Sequence, residues 1–216
     1  MNIHWDILDD NRRALLPLLG QLTEGGYYLA GDTGLALQIG HRDSIDFDFF
    51  TLSPIDTEKL FMQCEELFLS KGHTVLKIQE EKNTLGIVVD GNIKVSFMTY
   101  PYNLIADSAT TEYFTIASQI DIACMKLSAI TSRSLEKDYI DLYYLLQQYP
   151  ISDLLDHARQ KFPTIDSAVI LKSLVYFDDI TPEPILFKSG FEVDMNTLQE
   201  YIKNKVLEYS RSEINP

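Results

Sequence analysis

Residues 27–50 read Tyr-Tyr-Leu-Ala-Gly-Asp-Thr-Gly-Leu-Ala-Leu-Gln-Ile-Gly-His-Arg-Asp-Ser-Ile-Asp-Phe-Asp-Phe-Phe. The apolar residues before Gly31 predict a short buried strand that ends in a glycine turn. A helix should begin at Thr33, and a second strand should end in the Asp-Phe-Asp-Phe of residues 46–49. This strand, turn, helix and strand organise the interpretation of the rest of the chain.

Asp46 and Asp48 are the acidic residues of the second strand. Because strand side chains alternate between two faces, both carboxylates should project from one face, about 7 Å apart along the strand. Such a pair can hold divalent cations, and without them the two charges would repel each other beside a hydrophobic core. The alternative is an exposed strand end with two solvated acids. The apolar neighbours should point into the core, namely Ile45, Phe47 and Phe49.

The glycine turn predicts a phosphate site. Gly31 stands between a strand and a helix N-terminus, where backbone N–H groups can face an anion. Asp32 and Thr33 follow it, and thirteen residues separate Asp32 from Asp46. The turn and the acidic strand are therefore candidates for the two halves of one site.

Composition restricts the classes of function. The chain has 216 residues, 45% of them hydrophobic and 23% charged, which are ordinary values for a globular protein with a sizeable core. The formal net charge of −14 argues against a protein whose whole surface grips nucleic acid, since phosphate binding needs clustered Lys and Arg. A local basic cleft, a basic partner protein, or plain solubility is compatible with this charge.

Cys64 and Cys124 lie within helix-like apolar stretches, so we expect reduced core thiols. The N-terminal residues lack a basic region followed by an apolar one, and no apolar run reaches membrane-spanning length. We therefore expect a soluble, cytoplasmic protein without membrane association.

The first half of the chain alternates helices and strands. Helical periodicity predicts a helix over 9–22, and Ser53-Pro54 is typical of the start of another helix. Two strands, 85–89 and 93–99, flank Asp90-Gly91, which favours a tight primed hairpin turn.

Beyond Tyr113 the pattern becomes helical. Ser118 with Asp121 resembles a capping box that opens a helix, and residues 135–148 should form the next one. Three more helices should follow, with caps at Ser152, Thr164 and Asn196.

The predicted fold class is α+β (α/β), with a small mixed β-sheet flanked by helices and followed by a helical C-terminal region. We expect an α/β core over 1–115 and a helical region over 116–216 that shares its cleft.

The ordered combination of these motifs resembles known nucleotidyltransferases. An apolar-Gly-x turn, a helix-length gap and an Asp-apolar-Asp strand resemble the signature of the DNA polymerase beta superfamily. The longer string is similar more narrowly to the AbiEii/AbiGii toxin family, and it reads Tyr28-Leu29-Ala30-Gly31, Gly40-His41-Arg42 and Asp46-Phe47-Asp48-Phe49-Phe50. The resemblance covers most of residues 27–146.

This resemblance implies a nucleotidyltransferase fold and a set of ligands and partners. Mg²⁺ would be held by Asp46 and Asp48, and a nucleoside triphosphate would be the substrate. The acceptor would be the 3′ end of a tRNA, and a cognate antitoxin protein would accompany the chain. The triphosphate would lie near Gly31, Asp32, Thr33 and Arg42.

A downstream constellation also looks like the family's motif. By that resemblance Lys126 would contact the triphosphate and Asp141 would orient or deprotonate the acceptor hydroxyl, with Arg133 and Lys137 as phosphate partners. The spacing of Lys137, Asp138 and Asp141 favours one helix face. The alternative is an ordinary ion-paired helix surface. Any RNA surface should be a local basic groove near Arg42, Lys126, Arg133 and Lys137.

Two positions depart from the family pattern. Ser96 stands where many relatives carry a third carboxylate, and a hydroxyl is a poor metal ligand and no base. Asp32 replaces a small residue, and it either adds negative charge beside the triphosphate or caps a helix that starts near Gly34. Arg42 should pair with Asp46 or with a phosphate.

Three functional hypotheses follow. The first is a metal-dependent nucleotidyltransferase similar to the toxin half of an AbiE-type pair. The second is a catalytically silent nucleotide-binding or interaction protein of the same fold, which Asp32 and Ser96 favour. The third is a nucleotidyltransferase for a small-molecule acceptor, which suits the acidic surface.

Overall fold

The computed structural model describes residues 2–214, which divide into two compact units. Of the described residues, the first unit comprises 2–103 and 107–117, and the second comprises 104–106 and 118–214. Within the described residues, the first unit contains all of the strands and three of the α-helices. It begins with a short 3₁₀ helix, Trp5–Ile7.

Each helix of the first unit starts either after a capping aspartate or at a glycine. They are α1 (Asp10–Thr23), α2 (Gly31–Ile39) and α3 (Thr57–Ser70). Asp9 caps α1 by accepting from the Arg12 amide, and Asp56 caps α3 by accepting from the Lys59 amide. The predicted start of α3 at Ser53-Pro54 is wrong, because Asp56 supplies the side-chain acceptor.

The second helix begins two residues before the predicted start at Thr33. Ala30 is its N-cap residue, and the Ala30 carbonyl accepts from the Gly34 amide at 3.2 Å. The predicted glycine turn is therefore the first turn of α2. Asp32 lies inside that turn, so the interpretation of Asp32 as a cap is wrong.

One seven-stranded sheet runs in the order β3-β4-β5-β2-β1-β7-β6 among residues 2–214. The β1–β7 and β2–β5 pairs are parallel, and the other neighbours are antiparallel. The strands are β1 (Tyr27–Leu29), β2 (Phe47–Thr51), β3 (Val75–Glu81), β4 (Thr84–Val89), β5 (Ile93–Thr99), β6 (Ala109–Thr110) and β7 (Thr115–Ile116). This mixed sheet with flanking helices confirms the predicted fold class.

The hairpin between β4 and β5 forms as predicted. Asp90 and Gly91 have φ angles of 50° and 78°, and the Asn92 amide donates to the Val89 carbonyl. Two consecutive positive φ angles define the primed turn that Asp-Gly tolerates.

A hydrophobic core fills the space between the sheet and its helices. Phe47 and Phe49 are fully buried, as the alternation predicted. Ile45 is 59% exposed, so its predicted place in the core is wrong. The reason is that β2 begins at Phe47, so the alternation of the strand does not extend back to residue 45.

The second unit contains the remaining helices of residues 2–214. They are α4 (Gln119–Ala129), α5 (Glu136–Gln148), α6 (Ile151–Lys161), α7 (Ser167–Val175) and α8 (Met195–Ile214). Ser118 caps α4 by accepting from the Asp121 amide at 2.9 Å, which confirms half of the predicted capping box. The Asp121 carboxylate forms an ion pair with Lys161 at 2.7 Å and accepts hydrogen bonds from two loop amides.

The three predicted caps in this unit are wrong, although the three helices exist. α6 follows Pro150 and places Ser152 inside its first turn. Asp166 caps α7, and Asp194 accepts from the Thr197 amide at the start of α8. In both cases an aspartate carboxylate reaches the first-turn amides, and the predicted residues Thr164 and Asn196 do not.

Both cysteines are free and buried, as expected. Burial raises the pKa of Cys64 and of Cys124 to about 12, so both are thiols at neutral pH. No helix within residues 2–214 combines the length and apolar character needed to cross a membrane.

Candidate active site

Asp48 lies in the middle of the sheet, on the strand between β1 and β5. Its carbonyl accepts from the Ala30 amide at 3.1 Å, and it stands opposite Ser96 in the parallel register of β2 and β5. Ser96 therefore occupies the neighbouring-strand position where a third carboxylate was expected, and as a hydrogen-bond donor it lowers the pKa of Asp48.

The environment of Asp48 opposes its negative charge. Burial raises the pKa of Asp48 most, and the negative charges of Asp32 and then Asp46 raise it further. The hydrogen bond from Ser96 and the positive charge of Lys94 lower this pKa in part. A bound cation would favour the ionised carboxylate, so the site has the electrostatics of a cation site.

Gly31 brings the N-terminus of α2 against the Asp48 carboxylate. Its φ angle is +64°, and a Cβ at this position would lie 3.5 Å from Asp48 Oδ2. The backbone can take this left-handed conformation at low cost only because the residue is glycine. The start of a helix and an acidic strand are thus in contact, as residues 27–50 predicted.

Asp32 and Arg42 form an ion pair at the ends of the segment that contains α2. Arg42 Nη2 lies 3.6 Å from Asp32 Oδ2, and Arg42 is only 4% exposed. The sequence predicted Asp46 or a phosphate as the partner of Arg42. The structure pairs Arg42 with Asp32, so the arginine offsets a charge that would otherwise repel a triphosphate.

Thr33 faces the loop before β2. Its hydroxyl lies 2.6 Å from the Ser44 hydroxyl and donates to the carbonyl of Asp46. Thr33 is buried, so in this structure its side chain bonds to protein groups. The hydrogen bond from the Thr33 hydroxyl holds the Asp46 backbone in place just before β2.

Asp46 and Asp48 fit a divalent cation in chemistry and in charge. Both carboxylates are half-buried, and Asp46 acts on the charge of Asp48. Carboxylate oxygens are the protein ligands that Mg²⁺ prefers, usually one or two of them together with water and substrate phosphates. Within residues 2–214, no three or more His, Cys, Asp or Glu side chains group as a metal site. A cation here would depend on two carboxylates and its substrate.

In the second unit, Lys126 lies between two buried carboxylates. Its Nζ is 2.7 Å from Asp138 Oδ1 and 2.7 Å from Asp141 Oδ2. Asp138 also accepts from Arg133 at 2.9 Å. The structure therefore brings together four residues of the predicted downstream motif, on α4, on α5 and in the loop between them.

The four cations near which a basic groove was predicted differ in exposure. Arg42 is buried and Lys126 is 2% exposed, and both pair with carboxylates. Arg133 keeps half of its side chain exposed, and Lys137 lies 3.5 Å from Glu183. Burial of a charged group requires paired partners, which explains why these cations turned inward.

Two residues near the acidic strand were missed by the sequence interpretation. Lys94 is exposed, stands two residues before Ser96 on β5, and acts on the charge of Asp48. The alternation of β5 could have placed it on the face of Ser96. The second missed residue is Arg12, whose Nε donates to the Ile45 carbonyl at 2.7 Å. Because the two residues are 33 positions apart in the sequence, no local sequence pattern indicates this contact.

The same fold occurs in solved structures of other organisms. MenT4, a nucleotidyltransferase toxin from Mycobacterium tuberculosis H37Rv, matches with a TM-score of 0.64 at 15% sequence identity, over 91% of this chain and 80% of that chain. JHP933 from Helicobacter pylori matches with a TM-score of 0.55 at 15% identity, over 98% and 96% of the two chains. At these identities the similarity shows the fold.

Sequence comparison shows the family. The uncharacterized protein aq_aa25 of Aquifex aeolicus (strain VF5) is 35% identical over 206 residues, which are 93% of this chain and 96% of that protein. The model of the family "Nucleotidyl transferase AbiEii toxin, Type IV TA system" matches residues 21–204. The resemblance seen in residues 27–146 is thereby confirmed, and the chain belongs to the AbiEii family of nucleotidyltransferase toxins.

Proposed function

We propose that this protein is a Mg²⁺-dependent nucleotidyltransferase that transfers a nucleotide from a nucleoside triphosphate to the 3′ end of a tRNA. Membership of a type IV toxin–antitoxin family implies a cognate antitoxin as its counterpart. We place this reaction in the cytoplasm, where both substrates occur.

The observation that carries the proposal is the anionic cluster around Asp48. Burial and two further carboxylates raise the pKa of Asp48, and the start of α2 lies against the same side chain. Placing carboxylates together in a partly buried site is costly without a cation. The helix N-terminus beside them favours a bound phosphate. A metal–triphosphate complex supplies both.

In the proposed reaction Asp46 and Asp48 hold Mg²⁺. The ion would supply charge neutralisation at the triphosphate and at the leaving pyrophosphate. Gly31 permits close approach of a phosphate to the backbone, and the Asp32–Arg42 pair limits the repulsion that Asp32 would exert. Because transfer at phosphorus is mostly positioning and charge stabilisation, these groups would account for much of the catalysis.

We assign the acceptor side of the reaction to the second unit. Asp141 would accept the proton of, or orient, the attacking hydroxyl, and Lys126 would act on the triphosphate, once substrate binding exposes these two buried and paired side chains. The Lys126 ammonium bonds to both Asp138 and Asp141, so it also holds Asp141 in a fixed position. Arg133 and Lys137 are the proposed partners of phosphate groups on the more exposed side of this cluster.

The test is incubation of the protein with each alpha-labelled nucleoside triphosphate, Mg²⁺ and bacterial tRNA. Label should enter the tRNA 3′ end, and Asp48→Asn should lower kcat/KM by at least about 100-fold, more than the loss typical of an outer-shell residue. Asp141→Asn should lower activity similarly, whereas Asp138→Asn should lower stability more than activity. Equal loss in these two α5 variants would contradict the role given to Asp141.

A second candidate function has one specific observation in its favour. Ser96, and not an acid, stands opposite Asp48 on β5, as it would in a catalytically silent protein that only binds nucleotide. Metal-dependent binding of nucleotide without product would favour this function. Label entering a small hydroxylated acceptor and no RNA would favour a small-molecule transferase instead.

A further inference from the structure

The two acidic residues of the candidate metal site are held in different ways. Asp48 is inside β2, where pairing with β1 and β5 fixes its backbone. Asp46 precedes Phe47, the first residue of the strand. Strand pairing therefore does not orient Asp46, although a metal ligand has to be held in a definite orientation.

Two side chains hold the peptide groups on either side of Asp46. Arg12 Nε donates to the Ile45 carbonyl at 2.7 Å, which belongs to the peptide before Asp46. The Thr33 hydroxyl donates to the carbonyl of Asp46 itself, which belongs to the peptide after it. Fixing both peptide planes determines the direction of the Asp46 Cα–Cβ bond, and hence the direction in which its carboxylate leaves the backbone.

Arg12 is itself held rigidly. It is buried, its Nη1 donates to the carboxylate of Asp9, and its Nη2 lies 3.3 Å from the Asn92 carbonyl. One planar guanidinium thus joins the start of α1, the loop before β2 and the turn between β4 and β5. A lysine has one compact ammonium and cannot reproduce this fork.

We propose that Arg12 is a positioning residue for the metal ligand Asp46, with Thr33 as the second point of the same clamp. This inference rests on the proposed function, because it assumes that Asp46 binds a cation. Arg12 also precedes residue 21, where the match to the family model begins, so the family match does not supply this role. In this proposal Thr33 supports the site through Asp46, which differs from the direct phosphate contact that the sequence suggested.

The test compares Arg12→Met with Arg13→Met in the full chain. Both variants remove one cation from α1, but Arg13 is exposed and its Nε donates to the Trp5 carbonyl. Binding of Mn²⁺ in the presence of a non-hydrolysable nucleoside triphosphate analogue, followed by electron paramagnetic resonance, should weaken about tenfold or more in Arg12→Met, the effect typical of lost outer-shell support. Arg13→Met should bind Mn²⁺ as the parent does, and Arg12→Lys should lie between Arg12→Met and the parent.

A second readout does not depend on metal. Amide hydrogen exchange over residues 43–47 should be faster in Arg12→Met than in the parent and unchanged in Arg13→Met, because only the former releases the Ile45 peptide. If Arg12→Met does not fold, Thr33→Val removes the other point of the clamp and should weaken Mn²⁺ binding in the same direction. Unchanged Mn²⁺ binding in folded Arg12→Met, or in Thr33→Val where Arg12→Met does not fold, would overturn the inference.

The same data separate this inference from the proposed function. Mn²⁺ binding that is lost in Asp48→Asn but normal in Arg12→Met would leave the metal site standing and reject the clamp. A parent protein that binds no Mn²⁺ in the presence of a non-hydrolysable nucleoside triphosphate analogue would reject the metal site, and the role of Arg12 with it, even if hydrogen exchange in the loop responded as expected.

Discussion

At the scale of single residues, Asp48 and Gly31 define the candidate site. The strand places the carboxylate inside the sheet, and the glycine allows the start of α2 to lie against it. Three unfavourable influences act on the charge of Asp48, and two favourable ones oppose them in part. A buried carboxyl whose pKa is raised by neighbouring charges is a candidate functional group, and cation binding is the role we propose for it.

Asp48→Asn should stabilise the metal-free protein near pH 7. The folded-state pKa of Asp48 is raised, so its favourable contribution exists below the unfolded pKa and is lost as pH rises through the folded pKa. The advantage of the variant should therefore shrink as pH falls toward about 4, the ordinary pKa of aspartate. Thermal unfolding in EDTA across this pH range measures the difference in stability between the variant and the parent. Added Mg²⁺ should stabilise the parent and not the variant, and stabilisation of both would contradict the assignment.

Gly31→Ala should lower stability and nucleotide binding together. An alanine at φ +64° costs about 1–2 kcal/mol of folding free energy, and its Cβ would stand 3.5 Å from Asp48 Oδ2. Gly72→Ala is the matched control, because φ is +84° there and no atom lies within 4 Å of the added Cβ. Urea unfolding should give similar losses for both variants. In calorimetric titrations with ATP and Mg²⁺, the affinity for the nucleotide should fall only in Gly31→Ala.

At the scale of secondary-structure elements, sequence periodicity predicted the helices better than their starts. Five helix starts were predicted at residues that the structure places elsewhere, and four of the true starts depend on glycine or an aspartate carboxylate. Serine, threonine, asparagine and aspartate cap with similar strength, so local sequence does not choose between neighbouring candidates. The angle at which the chain enters each helix makes the choice, and this angle depends on packing.

Asp56→Ala tests the corrected start of α3. Loss of the bond from the Lys59 amide should cost about 1 kcal/mol and lower Tm by roughly 2–4 °C. Ser53→Ala, at the start that the sequence suggested, should change stability by no more than about 0.5 kcal/mol. Thermal unfolding of both variants distinguishes the two proposed starts of α3. A larger loss of stability in Ser53→Ala than in Asp56→Ala would support the start at Ser53-Pro54. Neither change should affect nucleotide transfer.

At the scale of the whole molecule, the positive charges are few and partly buried. Among residues 2–214, four of the chain's 18 Lys and Arg side chains are buried, namely Arg12, Arg42, Lys126 and Lys161. Three carboxylates are buried with them, Asp121, Asp138 and Asp141, so the surface stays about as acidic as the composition. A tRNA acceptor would therefore be held by a small number of cations, and its binding should be weak.

The affinity for tRNA should depend only weakly on salt. Two or three phosphate contacts from residues such as Arg133 and Lys137 give a slope of log K against log[NaCl] of roughly −1.5 to −2. Fluorescence anisotropy of labelled tRNA between low and physiological salt measures this slope. A slope near −5 or steeper would reveal a larger basic footprint than these side chains provide.

The sequence by itself determined the parts of the site that depend on neighbours along the chain. The alternation of Phe47, Asp48 and Phe49, the glycine turn and the Asp90-Gly91 hairpin follow from backbone preferences and strand periodicity, which act over a few residues. Asp46 was predicted on the same strand face as Asp48, but it lies before the first residue of β2. The tertiary structure alone decided which charges meet. Arg12 reaches Ile45 across 33 residues, and Lys161 reaches Asp121 across 40. Periodicity encodes which face of an element is buried, but the partner of a buried charge is set by how separate elements pack.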